Sequence, residues 1–171
     1  MARLVIGLGH PFRGDDAAGL EVANRVQTAT THQNMTGSYE LMDLWEGVDD
    51  VIIVDATHSN SPAGTIHRFD PRTRPLPAGT FASTHAIGVA ETLELARHLD
   101  RLPAKLSVYG IEACSFATGT VLTPDVVAAI EIVSKGSDDA VKSPREVSSE
   151  KRSPIHLSHH GPPPTAPPAT P

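Results

Sequence analysis

Asp16, Asp55 and His85 are side chains of metal-binding type, each placed where an apolar run gives way to a loop or helix. They are separated by 39 and 30 residues, so spacing alone carries no signature. Their chemistry does. Two carboxylates and an imidazole form a mixed hard and borderline donor set suited to a divalent transition metal such as Ni²⁺ or Zn²⁺. Three protein ligands would leave positions open for water or for a partner's groups. Plain structural roles compete with this one. Asp15 and Asp16 suit a helix N-terminus, where a negative charge gains ~0.3–1 kcal/mol. Asp55 suits a strand-end turn, and His85 suits the surface. Against these stand two arguments: a carboxylate directly after four aliphatics is costly to desolvate, and a helix start would hold His85 neutral, the form a metal requires. His10, Asp15 and His58 fall in the same loops and are candidates for supporting groups around the ligands.

Such residues meet only if the elements bring them to one edge. "RLVIGLG" is a short β-branched run stopped by glycine and reads as a buried strand. Ala18, Val22 and Val26 then recur at helical spacing. "DDVIIVDAT" is a strand without polar alternation, as expected of a central strand covered on both faces, with Asp55 near its carboxyl end. "PAGTIHRFD" reads as a turn into a polar edge strand, Ala86 to Leu99 as an amphipathic helix that His85 opens, and "KLSVYGIEA" as a further strand. Thr123 reads as an N-cap with Pro124 at the first helical position. Between Gln27 and Leu44 there is no convincing apolar run; the best candidate is a short strand around Ser38 to Met42. This alternation predicts a three-layer α/β domain with a mostly parallel sheet. In such sheets ligands sit beyond the carboxyl ends of the strands, which is where all three side chains fall.

The chain has 171 residues, with 14 Lys and Arg against 20 Asp and Glu. Residues 136–171 hold four acids and four bases, so the whole excess of negative charge lies in the first 135. An acidic domain with one Trp, two Tyr and four Phe lacks the charge and the stacking platforms for nucleic acid. No run approaches the ~20 apolar residues of a membrane span, and Leu4 to Leu8 is too short for a signal peptide. A soluble, cytoplasmic, monomeric protein is expected. Residues 136–171 contain eight of the 15 prolines and no aromatic residue, which predicts a disordered tail after a domain spanning 1–135. His156, His159 and His160 in that tail read as solvated rather than as a metal site.

Two other chemistries are disfavoured. "GLGHPFRG" resembles a dinucleotide loop, but that pattern needs glycine at position 12, where Phe12 stands. Cys114, the single cysteine, rules out an intramolecular disulfide, lacks any local signature of a nucleophile and reads as a small buried residue. Ser83 and Thr84 suit helix caps better than nucleophiles.

The segments "LVIGLGHPFRGDDAAG", "VIIVDAT", "STHAIGVAETLELAR" and "GIEACSFATGTVLTPDVVAAI" resemble, in order, those of the hydrogenase maturation proteases. These endopeptidases process the large subunit of nickel-iron hydrogenases. The resemblance covers most of the first 134 residues and none of the tail. It implies a twisted, mixed five-stranded sheet between helices, phosphorylase/hydrolase-like, with one strand antiparallel. It further implies removal of a C-terminal extension from a nickel-loaded large-subunit precursor. Carried over, the family's metal-contacting acid falls on Asp16, its strand-end aspartate on Asp55 and its histidine on His85. Asp16 and Asp55 would then be the catalytic carboxylates. No permanently bound cofactor is expected: Ni²⁺ arrives with the substrate, and an adventitious Zn²⁺ or Cd²⁺ would occupy the same ligands. The chain departs from the family at His10, where asparagine is usual, and between the first helix and Leu44, where the usual strand is not recognisable. That second departure keeps open a non-catalytic, metal-binding or chaperone-like relative on the same fold.

Overall fold

A computed structural model describes residues 2–34, 39–77, 79–81 and 88–139. Five strands form one sheet: β1 (Arg3–Leu8), β2 (Thr30–Asn34), β3 (Asp50–Thr57), β4 (Ile66–Phe69) and β5 (Lys105–Glu112), in the order β2-β1-β3-β5-β4. The neighbours β2-β1, β1-β3 and β3-β5 are parallel, and β4 runs antiparallel to β5 at the edge. The expected mixed, mostly parallel five-stranded α/β fold is therefore the one present. Strand alternation divides the core into two layers. Leu4, Ile6, Val51 and Ile53 pack beneath α2 (Glu40–Leu44) and α3 (Val89–His98). Val5, Ile52 and Val54 pack beneath α1 (Ala18–Arg25) and α4 (Pro124–Asp139). Burial of each of these aliphatic side chains stabilises the fold by roughly 1.5–3 kcal/mol relative to exposure.

Glycines set how close α1 comes to the sheet. A Cβ on Gly19 would lie 2.2 Å from the Val54 carbonyl oxygen, so the start of α1 sits flush against the ends of β1 and β3. Gly9 has φ of +137°, and a Cβ there would lie 1.8 Å from the Asp16 carbonyl oxygen. The glycines that mimic a dinucleotide loop thus serve close packing, and they hold the backbone of Asp16 against the end of β1.

Several elements differ from expectation. The region between α1 and β3 contains a strand at Thr30–Asn34, and Glu40–Leu44 is helical rather than extended. β2 is an edge strand whose residues Thr30 to Gln33 are largely exposed, so no apolar run marks it. Leu41, Met42 and Trp45 are buried at helical spacing, and the Trp45 indole donates to the Arg101 carbonyl at 2.9 Å. α3 begins at Val89 behind Gly88, later than the expected start at Ala86, and Leu99 is exposed beyond its end; His85, expected to open it, lies outside the described residues. Thr123 precedes α4 as expected and its carbonyl accepts from the Val127 amide, but its hydroxyl donates to Asp15 instead of capping the helix.

α4 also extends past residue 135, the expected end of the domain. Ser137 is buried, and its carbonyl accepts from the Arg3 guanidinium at 3.0 Å. One carboxylate oxygen of Asp138 accepts from the Gln27 and Thr28 amides and from the Thr28 hydroxyl. The last turn of α4 thereby ties down the chain entering β2. A chain ending at Lys135 is expected to be less stable than one ending at Asp139 by roughly 1–3 kcal/mol, read from urea midpoints. Equal midpoints would show that these bonds contribute nothing. The readings of the tail itself, including its three histidines, fall on 140–171 and lie outside the described residues.

Candidate active site

Parallel strands bring β1, β3 and β5 to one carboxyl rim, and the turn after β1 delivers two acids to it. Asp15 and Asp16 lie in a 3-10 turn (Gly14–Ala17) just before α1 and are almost fully buried, at 0% and 8% exposure. Asp55, 6% exposed, occupies β3 near its carboxyl end. Its parity is that of Val51 and Ile53, the face that α3 covers. Asp16 and Asp55 are close enough for their charges to interact. Burial pushes the Asp55 carboxyl up to about 7, a hydrogen bond from the Ala56 amide (2.8 Å) opposes the rise, and the Asp16 charge adds to it. Asp16 itself faces the Arg13 guanidinium at 4.0 Å. Two desolvated carboxylates whose charges interact favour a bound proton or a bound metal ion, either of which relieves their repulsion.

His85 lies outside the described residues. The chain on its amino-terminal side does reach the rim, because Phe81 forms an antiparallel bridge with Thr57, two residues beyond Asp55. Among the described residues no group of three or more His, Cys, Asp or Glu is placed to hold a metal ion. Asp16 and Asp55 fit the role of a partial ligand set by donor chemistry and by the interaction of their charges.

The supporting candidates have separate duties. One oxygen of Asp15 accepts from the Cys114 and Ser115 amides, both at 2.9 Å, and from the Thr123 hydroxyl at 3.1 Å. The other accepts from the Thr123 amide at 2.7 Å. Asp15 is thus a staple between the turn after β1 and the loop from β5 to α4. Its role as a support is structural and indirect. His10 accepts from the Phe12 amide through Nδ1 at 3.2 Å and shapes the Pro11–Arg13 turn. His58 is exposed and packs edge-on against Phe116 at 5.8 Å, while Arg13 covers the same ring at 5.9 Å. Cys114 is exposed rather than buried, and its backbone amide donates to Asp15.

Arg13 and Glu112 were not among the residues singled out from sequence. Glu112 is fully buried at the end of β5 and accepts from the Ser59 amide at 2.6 Å, the Ser59 hydroxyl at 2.9 Å and the Thr57 hydroxyl at 3.0 Å, with His67 Nε2 at 3.3 Å. Burial alone would push its carboxyl up; these bonds outweigh burial and hold it below the usual glutamate value. Glu112 fixes Thr57 and the chain that leaves β3 past Asp55. An acid at the end of an apolar strand was the signal that identified Asp55, and "YGIE" carries the same one.

The α/β fold is shared with solved peptidases. The chain is similar to the [NiFe] hydrogenase maturation protease HybD from Thermococcus kodakarensis, at 25% identity and a TM-score of 0.69, covering 83% of this chain and all of that one. It is likewise similar to the hydrogenase maturating endopeptidase HybD from E. coli, at 25% identity and a TM-score of 0.66, covering 82% and 90%. In sequence it is 28% identical over 139 residues to the hydrogenase 2 maturation protease of Escherichia coli K12, covering 77% of this chain and 85% of that protein. The HycI family model, described as hydrogenase maturation protease, matches residues 35–136, a span that takes in Asp55 and His85. The chain belongs to the hydrogenase maturation protease family, a family of peptidases.

Proposed function

We propose that this protein is an endopeptidase that removes a C-terminal extension from the nickel-loaded precursor of a nickel-iron hydrogenase large subunit. The supporting observation is the buried pair Asp16 and Asp55, in which Asp55 holds its proton up to about pH 7 unless a cation arrives. In this reading nickel carried by the precursor displaces that proton and is gripped by Asp16, Asp55 and His85. A precursor without nickel brings no cation to displace the Asp55 proton and is not engaged. A water beside the scissile carbonyl is then made nucleophilic, either by the Lewis acidity of nickel or by a carboxylate acting as general base. The attack forms a C–O bond to the carbonyl carbon, the C–N bond breaks, and the leaving amine takes up a proton.

The test is incubation of nickel-loaded and nickel-free precursor with the full chain, followed by mass spectrometry. Loss of the extension from the loaded form alone is the expected result. Binding of the loaded precursor without cleavage would replace this reading with the non-catalytic, chaperone-like one.

A further inference from the structure

On the side of α1 lies a cleft of about 450 Å³ lined by the apolar Pro11, Phe12, Leu20 and Leu122 and by polar side chains that include Glu21 and Asn24. Ala17, the residue after Asp16, also lines it, so cleft and acids are built on one continuous turn. Phe12, which lines it, and Val121, which stands between the lining residues Thr120 and Leu122, face solvent. Phe12 is 60% exposed and Val121 is 82% exposed. They sit on two loops locked together by the Gly119 amide donating to the Phe12 carbonyl at 2.9 Å and by the Gly14 amide donating to the Gly119 carbonyl at 3.0 Å. Phe12 is held outward by its own turn, with its amide on His10 Nδ1 and its ring edge-on to the His10 ring at 6.2 Å. An aromatic presented to water on a hydrogen-bonded turn at a cleft has the character of a binding anchor, since part of its ordering cost is already met.

We infer that this cleft receives the extended segment of the precursor next to its scissile bond, with an apolar side chain of that segment seated between Phe12, Leu20 and Leu122. The inference rests on the endopeptidase reading for the identity of the occupant, and continuity with the acids is what selects it. A peptide whose scissile bond lies over Asp16 advances ~3.3–3.6 Å per residue and so reaches the cleft within a few residues of the bond. Phe12 and Val121 are specificity-determining residues in this arrangement and take no part in bond cleavage.

The test measures the affinity of full-length nickel-loaded precursor for the full-chain Asp55→Asn protein, which is expected to bind without cleaving. Phe12→Ser and Val121→Ser are then added to it singly and together. Both side chains are largely exposed, so the variants should fold, and circular dichroism melting checks that they do. The double variant is expected to weaken binding at least tenfold, and in the Asp55 background to raise KM while kcat stays within twofold. Affinity within twofold of the parent in a folded double variant would overturn the inference. So would a precursor that binds none of these proteins, or a self-association that the double variant abolishes while precursor affinity is kept. Rim-dependent binding to a wild-type chain that never cleaves would leave the docking site standing and remove the endopeptidase reading alone.

Discussion

Asp55→Asn is expected to abolish precursor processing, by on the order of 10²–10⁴-fold, while making the protein more stable at pH 8. The sign follows from linkage. The Asp55 carboxyl stands at about 7 in the fold, raised first by burial and secondarily by Asp16, against an ordinary value of 3.8. A raised carboxyl means the folded chain holds a proton that the unfolded chain has lost. Stability is therefore full below about pH 4, falls as pH rises through the window from 4 to 7, and levels off above it. Three units correspond to about 4 kcal/mol, the cost of ionising this carboxyl where it lies. Asparagine removes that cost, and its amide oxygen still accepts from the Ala56 amide. The gain over wild type should be small at pH 4–5 and approach roughly 3–4 kcal/mol at pH 8, read by urea unfolding at both values. Added Ni²⁺ or Zn²⁺ at pH 8 should stabilise the wild type and leave Asp55→Asn unmoved, because a bound cation replaces the missing proton. Retained cleavage in folded Asp55→Asn, or a variant less stable than wild type at pH 8, would remove Asp55 from the site.

The central features of the fold were legible because they are buried on two faces. β3 reads directly from Val51–Val54, and β1 from Leu4–Leu8, since burial between two helical layers demands unbroken aliphatic runs. β2 was illegible for the converse reason. Its residues Thr30 to Gln33 are exposed at an edge, and what defines the strand is pairing with β1, from Leu4 with Thr30 to Leu8 with Asn34. Tertiary pairing leaves no periodicity in the strand that receives it. The end of α4 was misread through composition, where Gly136, Ser137 and Asp138 resemble the start of a linker. Their contacts to Arg3, Gln27 and Thr28 come from more than 100 positions earlier in the chain.

The site shows the same division. Asp55 was visible because a carboxylate set against four aliphatics is conspicuous, and Asp16 because it follows a glycine-containing turn. Cys114 was read as buried by the habit of its residue type, yet its side chain faces out where the loop after β5 is pinned by its backbone. The sequence marked Asp15 only as a helix-terminal or supporting acid beside Asp16, and what it holds was not visible there. Its Cys114, Ser115 and Thr123 donors come from about 100 positions later in the chain.

Those bonds give the second large expected effect. Asp15→Asn should destabilise the protein by roughly 3–5 kcal/mol, because each oxygen of Asp15 already has its donors and none can be met by an amide nitrogen. If the asparagine oxygen takes the place that faces Cys114, Ser115 and the Thr123 hydroxyl, its NH₂ group is driven against the Thr123 amide, donor against donor. If the amide is reversed, the Cys114 and Ser115 amides face the NH₂ group instead, and only the Thr123 hydroxyl can turn to accept from it. Either way a buried donor is left unmet and the charge assistance of every bond is lost. A loss of this size is a large part of the 5–15 kcal/mol typical of a domain and should lower the melting temperature by roughly 10–20 °C. The loop that Asp15 holds also carries Phe116, against which Arg13 and His58 pack, so local opening would expose the wall of the site before the sheet unfolds. Asp15→Asn and Asp55→Asn therefore pair stability and activity in opposite ways. The first yields a fragile protein whose cleavage per folded molecule at low temperature stays near that of wild type. The second yields a sturdy protein that does not cleave. Measuring melting and processing of nickel-loaded precursor on both variants at 15 °C decides the matter: an Asp15→Asn protein that is fully folded there and inactive would make Asp15 part of the chemistry, and the staple would no longer account for its burial.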